Sequence, residues 1–311
     1  MNNECIKAII DDEYQIPSGA NLDDLTSQLT ANLGSTDAYA RENSLEVLWQ
    51  WGQSGQFDDV QLLRIGQAMA DNLSVGLGES ETDTVFLRSF SALVLAMVLL
   101  VDQRFDFGQI EGRSPFLSKE MVLDWCECAL SCLEREQDYR GSVAGSGWAH
   151  AIAHLADVLS DFAPSKHLGA EHLERLLHVI AGKLGESTAC VLQFDEDNRL
   201  VQTIMSVLRR EELSLPTLQE WLQRLSQTPD GGHWGDVYGL EACDERANNA
   251  RLNTRSFLRS LYFQLLIGSR SFRAKIVPQY YALPILHREE LMAGIVDVLK
   301  AMDKWFYPKE E

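Results

Sequence analysis

The sequence lacks the features that mark several large classes of protein. Its 311 residues include 8 prolines and 6 cysteines, and no two cysteines are spaced as Cys-x-x-Cys. Few segments alternate polar and apolar residues as half-buried β-strands do. The most apolar run extends from Leu93 to Val101, and a membrane-spanning helix needs roughly 20 such residues. We therefore expect a protein without a disulfide framework or a large sheet, with buried, reduced thiols and no membrane partner.

Signatures of common catalytic sites are also missing. The sequence has no Gly-x-Ser-x-Gly elbow and no Walker loop, and Gly145-Ser146-Gly147 is too short for a dinucleotide fingerprint. Nucleotide-dependent enzymes and serine hydrolases of the elbow type are therefore disfavoured. Between an enzyme and a binding module, the sequence favours the binding module.

Positive charge is scarce. Lysine and arginine total 27 against 46 acidic residues, which gives a formal net charge of −19. Such a surface repels a phosphate backbone, so we expect no nucleic-acid partner. The same negative charge favours a basic protein or peptide partner. The first residues show no basic stretch followed by an apolar one, as a secretory signal would. A cytoplasmic location is therefore expected.

Helical patterns fill the chain. Apolar residues recur at helical spacing in about eleven segments separated by short loops, and Asn21, Asp37 and Ser118 stand where N-caps are expected. This pattern predicts an all-α fold of stacked antiparallel helix pairs, either a HEAT-like α-solenoid or a compact α-superhelix. Because helical arrays grow by adding repeats, we expect a single domain over residues 1–311.

Four blocks of sequence together resemble a bacterial family known only as domain of unknown function 2785. They are Leu33-Gly34-Ser35-x-Asp37 with Arg41, the segment from Thr82 to Leu93, the segment from Asp138 to Asp157, and the segment from Asp195 to Leu200. The third block is the most specific, with Asp138-x-Arg140-Gly141 followed by Gly147-Trp148-Ala149-His150. The resemblance implies a helical-repeat core over about 21–270, with a helical extension over about 271–311. It implies no activity.

One helix carries the strongest chemical candidate. We expect Trp148 to open a helix to Phe162, in which His150, His154 and Asp157 share a face. Two imidazoles one turn apart can ligate a divalent metal, and a carboxylate one turn later can complete or orient the site. Asp138 and Arg140 lie just upstream and are candidate partners of this face. The alternatives are a solvated polar face without a ligand and a site for a ligand other than a metal.

A second, weaker candidate pairs Asp83 with Arg88 near the start of the most apolar helix. Its favoured interpretation is an ion pair that fixes the helix start, with substrate binding as the alternative. Taken together, the sequence predicts a helical-repeat binding or scaffold protein for a peptide or protein partner. The alternative is a metal-dependent hydrolase or small-ligand-binding protein that uses His150, His154 and Asp157. No cofactor is expected beyond that metal, and the oligomeric state stays open.

Overall fold

A computed structural model describes residues 1–106, 114–237, 243–269, 271–303 and 306–307. The side chains of 105, 106 and 272 are outside this description. The helices of this part of the chain are α1 (Asn3–Asp11), α2 (Leu22–Asn32), α3 (Ala38–Gln53), α4 (Asp59–Asn72), α5 (Thr84–Asp106), α6 (Lys119–Arg135), α7 (Ala151–Phe162), α8 (Ala170–Gly185), α9 (Glu196–Leu208), α10 (Leu215–Leu225), α11 (Glu245–Ile267), α12 (Pro278–Tyr281) and α13 (Arg288–Met302). Two 3-10 helices cover Trp234–Val237 and Phe272–Lys275. The predicted all-α class is confirmed.

Helix starts follow the side chains that cap them. The side chain of Asn21 accepts hydrogen bonds from the backbone N–H groups of Asp23 at 2.9 Å and Asp24 at 3.2 Å. Ser118 accepts one from the N–H of Met121 at 3.3 Å. These bonds satisfy N–H groups that have no partner within the helix. The predicted starts of α2 and α6 are confirmed.

The predicted start of α7 at Trp148 is wrong. A hairpin of β1 (Ser142–Val143) and β2 (Gly147–Trp148) precedes the helix, with Ser142 opposite Trp148 and Val143 opposite Gly147. Gly145 and Gly147 have φ values of +80° and +74°, which glycine adopts without a steric penalty. The chain therefore reverses direction here, and α7 begins only at Ala151.

The contacts within the chain divide it into two compact units, Met1–Phe162 and Ala163–Glu311. In the first unit α5 contacts α3, α4 and α7, and α6 contacts α4 and α7. In the second unit α11 contacts α8, α9 and α13, and α10 contacts α8 and α13. A single domain over 1–311 and a solenoid or superhelix arrangement remain predictions.

Helix α5 is the core of the first unit. Residues 94–100 are each at most 1% exposed. Within the described residues, the stretch Thr84–Arg104 of this helix is long and apolar enough to cross a membrane, and 83% of its apolar window is buried inside the protein. The same composition is typical of a helix enclosed by other helices.

The cysteines correct one expectation. All six are free thiols, as predicted, but only Cys126 and Cys132 are buried, while Cys5, Cys128, Cys190 and Cys243 are exposed. Burial raises the pKa of the Cys126 thiol, because the thiolate would lose its hydration. Cys126 is therefore an inert core residue.

Close packing between α4 and α6 depends on a glycine. A Cβ on Gly66 would lie 2.3 Å from Cη2 of Trp125, whose side chain is 1% exposed. The Trp125 indole N–H donates to Oε1 of Gln67 at 3.1 Å, which fixes the ring against α4. The absence of a side chain at Gly66 thus lets the two helices approach.

We predict that Gly66→Ala lowers the free energy of unfolding by about 1–3 kcal/mol, because the added methyl overpacks the Trp125 ring. The matched control is Gly182→Ala in α8, where a Cβ would meet nothing within 4 Å. That substitution should stabilise by about 0.5–1 kcal/mol, since alanine restricts the unfolded chain. Urea unfolding followed by far-ultraviolet circular dichroism measures both. Equal stability of the Gly66→Ala variant and the unmodified protein would contradict the close approach.

Candidate functional site

The polar stripe of α7 is buried. His154 and Asp157 are 7% and 6% exposed, and the other ten residues of α7 are at most 2% exposed. His150, just before the helix, is 6% exposed. The alternative of a solvated polar face is therefore wrong, because neighbouring elements cover this helix all round. His154 and Asp157 are nevertheless the most exposed residues of α7, and His150 extends their line beyond its first residue.

Four rings continue this line from the surface into the core, and we call them the aromatic row: Trp148, His150, His154 and Phe90. The His150 imidazole stacks on the Trp148 indole, with centroids 5.1 Å apart and planes 22° apart. The two imidazoles lie 5.4 Å apart, and Phe90 meets His154 edge-on at 5.3 Å. Only Trp148, at 42% exposure, presents a large surface to solvent.

The inner histidine is held in one orientation. Its Nδ1 lies 2.7 Å from the hydroxyl oxygen of Ser89, and that hydroxyl donates to the backbone carbonyl of Ala149. A serine hydroxyl has a single proton to donate. Because the carbonyl takes that proton, we infer that Nδ1 of His154 carries a hydrogen and donates to Ser89.

The metal interpretation finds no matching geometry. Among the residues that the structure describes, no three His, Cys, Asp or Glu side chains are placed together where they could hold a metal ion. This includes His150, His154 and Asp157. A shared helical face does not by itself bring these side chains together around a metal. The two imidazole rings are oriented by their contacts with Trp148, Ser89 and Phe90.

Asp138 and Arg140 bind each other. Nε of Arg140 lies 2.9 and 3.0 Å from the two carboxylate oxygens of Asp138, and its Nη2 donates to the carbonyl of Thr82 at 2.8 Å. This hydrogen bonding raises the pKa of Arg140. Asp138 also accepts from the N–H of Glu81 at 3.1 Å. The pair connects the segment just before α5 to the segment just before the hairpin. Its role is therefore to position the hairpin.

The predicted pairing of Arg88 with Asp83 is wrong. Arg88 is fully buried and forms a two-point ion pair with Glu136, with N–O distances of 2.8 and 2.9 Å. It also donates to the carbonyls of Val75 and Gly76 at 2.8 and 3.0 Å. Asp83 is exposed, and its charge acts on Arg140. A buried guanidinium requires a carboxylate that reaches it inside the protein, and Glu136 at the end of α6 is that carboxylate.

Sequence reasoning missed the role of Arg41, which fixes the hairpin. Its guanidinium donates to the carbonyls of Ser146 at 2.5 Å and Trp148 at 3.2 Å, and also to that of Ser35 at 2.7 Å. It lies over the rings of Phe86 and Phe90, 4.2 and 4.8 Å from their centroids. The sequence offered one indication of a role, because Arg41 belongs to the first block that resembles the family. That block did not indicate which groups Arg41 contacts.

Comparison with known proteins supports the resemblance. A family model described as "Protein of unknown function (DUF2785)" matches residues 73–263, which is more than half of the 311 residues. The second, third and fourth blocks lie inside that range, and the block at residues 33–41 lies before it. No curated protein and no solved structure matches the chain.

We predict that Glu136→Gln lowers the free energy of unfolding by about 3–5 kcal/mol, because it leaves the Arg88 charge buried without a counter-ion. The matched control is Asp23→Asn, which breaks a pair with Arg64 whose side chains are 50% and 60% exposed. That change should cost less than about 1 kcal/mol, since water replaces the exposed partner. Urea unfolding compares the two variants, and similar losses would show that the Arg88 pair is not the buried anchor described above.

Proposed function

Because the chain belongs to the family described as protein of unknown function (DUF2785), whose description names no activity, we propose its function from its own geometry. The chain is a binding module for a protein or peptide partner, and Trp148 is the anchor for a basic side chain of that partner. The observation that carries this proposal is the exposed indole of Trp148, 42% accessible and supported from behind by His150.

Trp148 is held rigidly, which suits an anchor. It belongs to strand β2, its carbonyl accepts from the buried Arg41 at 3.2 Å, and its ring stacks on His150. Tryptophan is enriched among the residues that dominate interface energies. A ring that is already ordered loses little conformational entropy when a partner binds. The buried arginine and histidine therefore support recognition through Trp148.

A carboxylate lies beside strand β2. A Cβ on Gly147 would be 3.2 Å from Oε1 of Glu42, so this carboxylate borders the residue that precedes Trp148. The Glu42 side chain is 44% exposed, with Nη2 of Arg41 3.8 Å away. Aromatic faces and carboxylates each attract lysine and arginine side chains. The net charge of −19 also attracts a basic partner from a distance.

The metal-dependent hydrolase remains the alternative from sequence, and no observation on the described residues favours it. His154 bonds to Ser89, and the donor set needed around a metal is not assembled. The binding function is accordingly the one proposed.

We predict that Trp148→Ala weakens the binding of short oligoarginine and oligolysine peptides by about 2 kcal/mol, roughly thirtyfold in Kd, the range of an interface hot spot. Fluorescence anisotropy of labelled peptides with the full chain measures the affinity. The control is Phe263→Ala, which removes an aromatic ring that is 56% exposed in the second unit. Phe263→Ala should leave the affinity unchanged.

A charge comparison separates a defined site from general attraction. Glu42→Gln should weaken binding, because it removes the carboxylate beside Gly147 in the strand that carries Trp148. Glu4→Gln, at an exposed position of α1, changes the net charge equally and should have little effect. If Trp148→Ala binds as tightly as the unmodified protein, or if the two glutamate variants lose the same affinity, the site is not at Trp148.

A further inference from the structure

Helix α11 reverses the charge balance of the chain. Its 23 residues include four arginines and one glutamate, whereas the whole chain carries a net charge of −19. Arg251, Arg255 and Arg259 follow one another at intervals of four residues, which places them on one side of the helix. We call these three residues the arginine ladder. Sequence reasoning could have found it from this spacing.

The arginine ladder converges on a single carboxylate. Asp303, which caps the end of α13 and is 3% exposed, lies 2.5 Å from Nη1 of Arg251 and 3.0 Å from Nη1 of Arg255. Nη2 of Arg259 is 3.6 Å from the same carboxylate and donates to the Tyr307 hydroxyl at 2.9 Å. In the described part of the chain, the ion pairs of Arg255 and Arg259 both go to Asp303.

The arginine ladder therefore has guanidinium charge and N–H donors that Asp303 alone does not match. Among the described residues, Arg255 and Arg259 both pair with the one carboxylate that also pairs with Arg251, so these two guanidinium groups have no carboxylate of their own. Nε of Arg255 is buried and has no hydrogen-bond partner. Grouping like charges at a partly buried place is unfavourable unless an anion compensates them. A dianion would supply Arg255 and Arg259 with compensating charge and with further acceptors.

Accessibility along the ladder suits a ligand that enters from solvent. The side chains of Arg251, Arg255 and Arg259 are 6%, 21% and 44% exposed. Arg251 is thus the inner residue paired to Asp303, and the other two are reachable. Arginine is suited to phosphate, because its planar fork donates two parallel hydrogen bonds to two oxygens.

We propose that Arg255 and Arg259, backed by the Arg251–Asp303 pair, form a binding site for a dianionic phosphate group. The group belongs either to inorganic phosphate or to a phosphate monoester. Arg255 and Arg259 supply guanidinium donors, and Arg259 turns from Asp303 and Tyr307 to the ligand. The site lies in the second unit and does not depend on Trp148.

Isothermal titration of the full chain with inorganic phosphate and with glycerol phosphate tests this proposal. We expect saturable binding of at least one of them. Arg259→Gln and Arg255→Gln should each weaken it about tenfold, which is about 1.4 kcal/mol, because each removes a charge and charged hydrogen-bond donors. Arg246→Gln removes an exposed arginine from the first turn of the same helix and should leave the affinity unchanged, as should Trp148→Ala.

Tighter binding of glycerol phosphate would identify a phosphate monoester as the ligand, and equal or weaker binding would identify free phosphate. Absence of saturable binding of both probes would overturn the proposal. So would an affinity that is the same in Arg259→Gln as in the unmodified chain, or that falls equally in Arg246→Gln. Circular dichroism checks that each variant is folded. If Arg255→Gln does not fold, Arg259→Gln is the deciding test, because Arg259 is the most exposed of the three.

Discussion

The buried guanidinium of Arg88 imposes the constraint on which the candidate site depends. A charge with no access to water has to find its counter-ion and acceptors within the protein, and Glu136 provides the counter-ion. The same Glu136 Oε1 accepts from the N–H of Asp138 at 3.0 Å. Asp138 in turn binds Arg140, and the carbonyl of Arg140 accepts from the N–H of His150 at 3.0 Å. One chain of polar contacts thus runs from the interior of α5 to the residue that precedes α7.

A second buried arginine, Arg41, holds the hairpin that carries Trp148. Arg41 reaches the hairpin carbonyls and lies over Phe86 and Phe90, so its charge is met by carbonyl oxygens and aromatic faces. Burial lowers the pKa of Arg41, because desolvation disfavours the charged form. Interior charge is therefore used here for positioning. Its result is that Trp148, at the outer end of the aromatic row, is exposed and yet ordered.

The arginine ladder shows a different use of the same residue type. In the first unit Arg88 has a carboxylate of its own, in two-point geometry. In the described part of the second unit, Arg255 and Arg259 share a carboxylate, that of Asp303, which also pairs with Arg251. A two-point ion pair satisfies the guanidinium within the protein. A shared ion pair leaves hydrogen-bond donors and positive charge that a ligand can use. This contrast distinguishes an arginine that stabilises the fold from one that is suited to bind a ligand.

The sequence by itself determined the helical class, because capping residues such as Asn21 and Ser118 and the spacing of apolar side chains act within a few residues of each other. It also determined that Asp138, Arg140, Trp148 and the histidines belong to one region. Only the tertiary structure decided the partners: Arg88 binds Glu136, 48 residues away, and not Asp83. It also decided that the polar stripe of α7 is buried. Such pairings depend on which elements pack together, and local spacing along the chain carries no information about that.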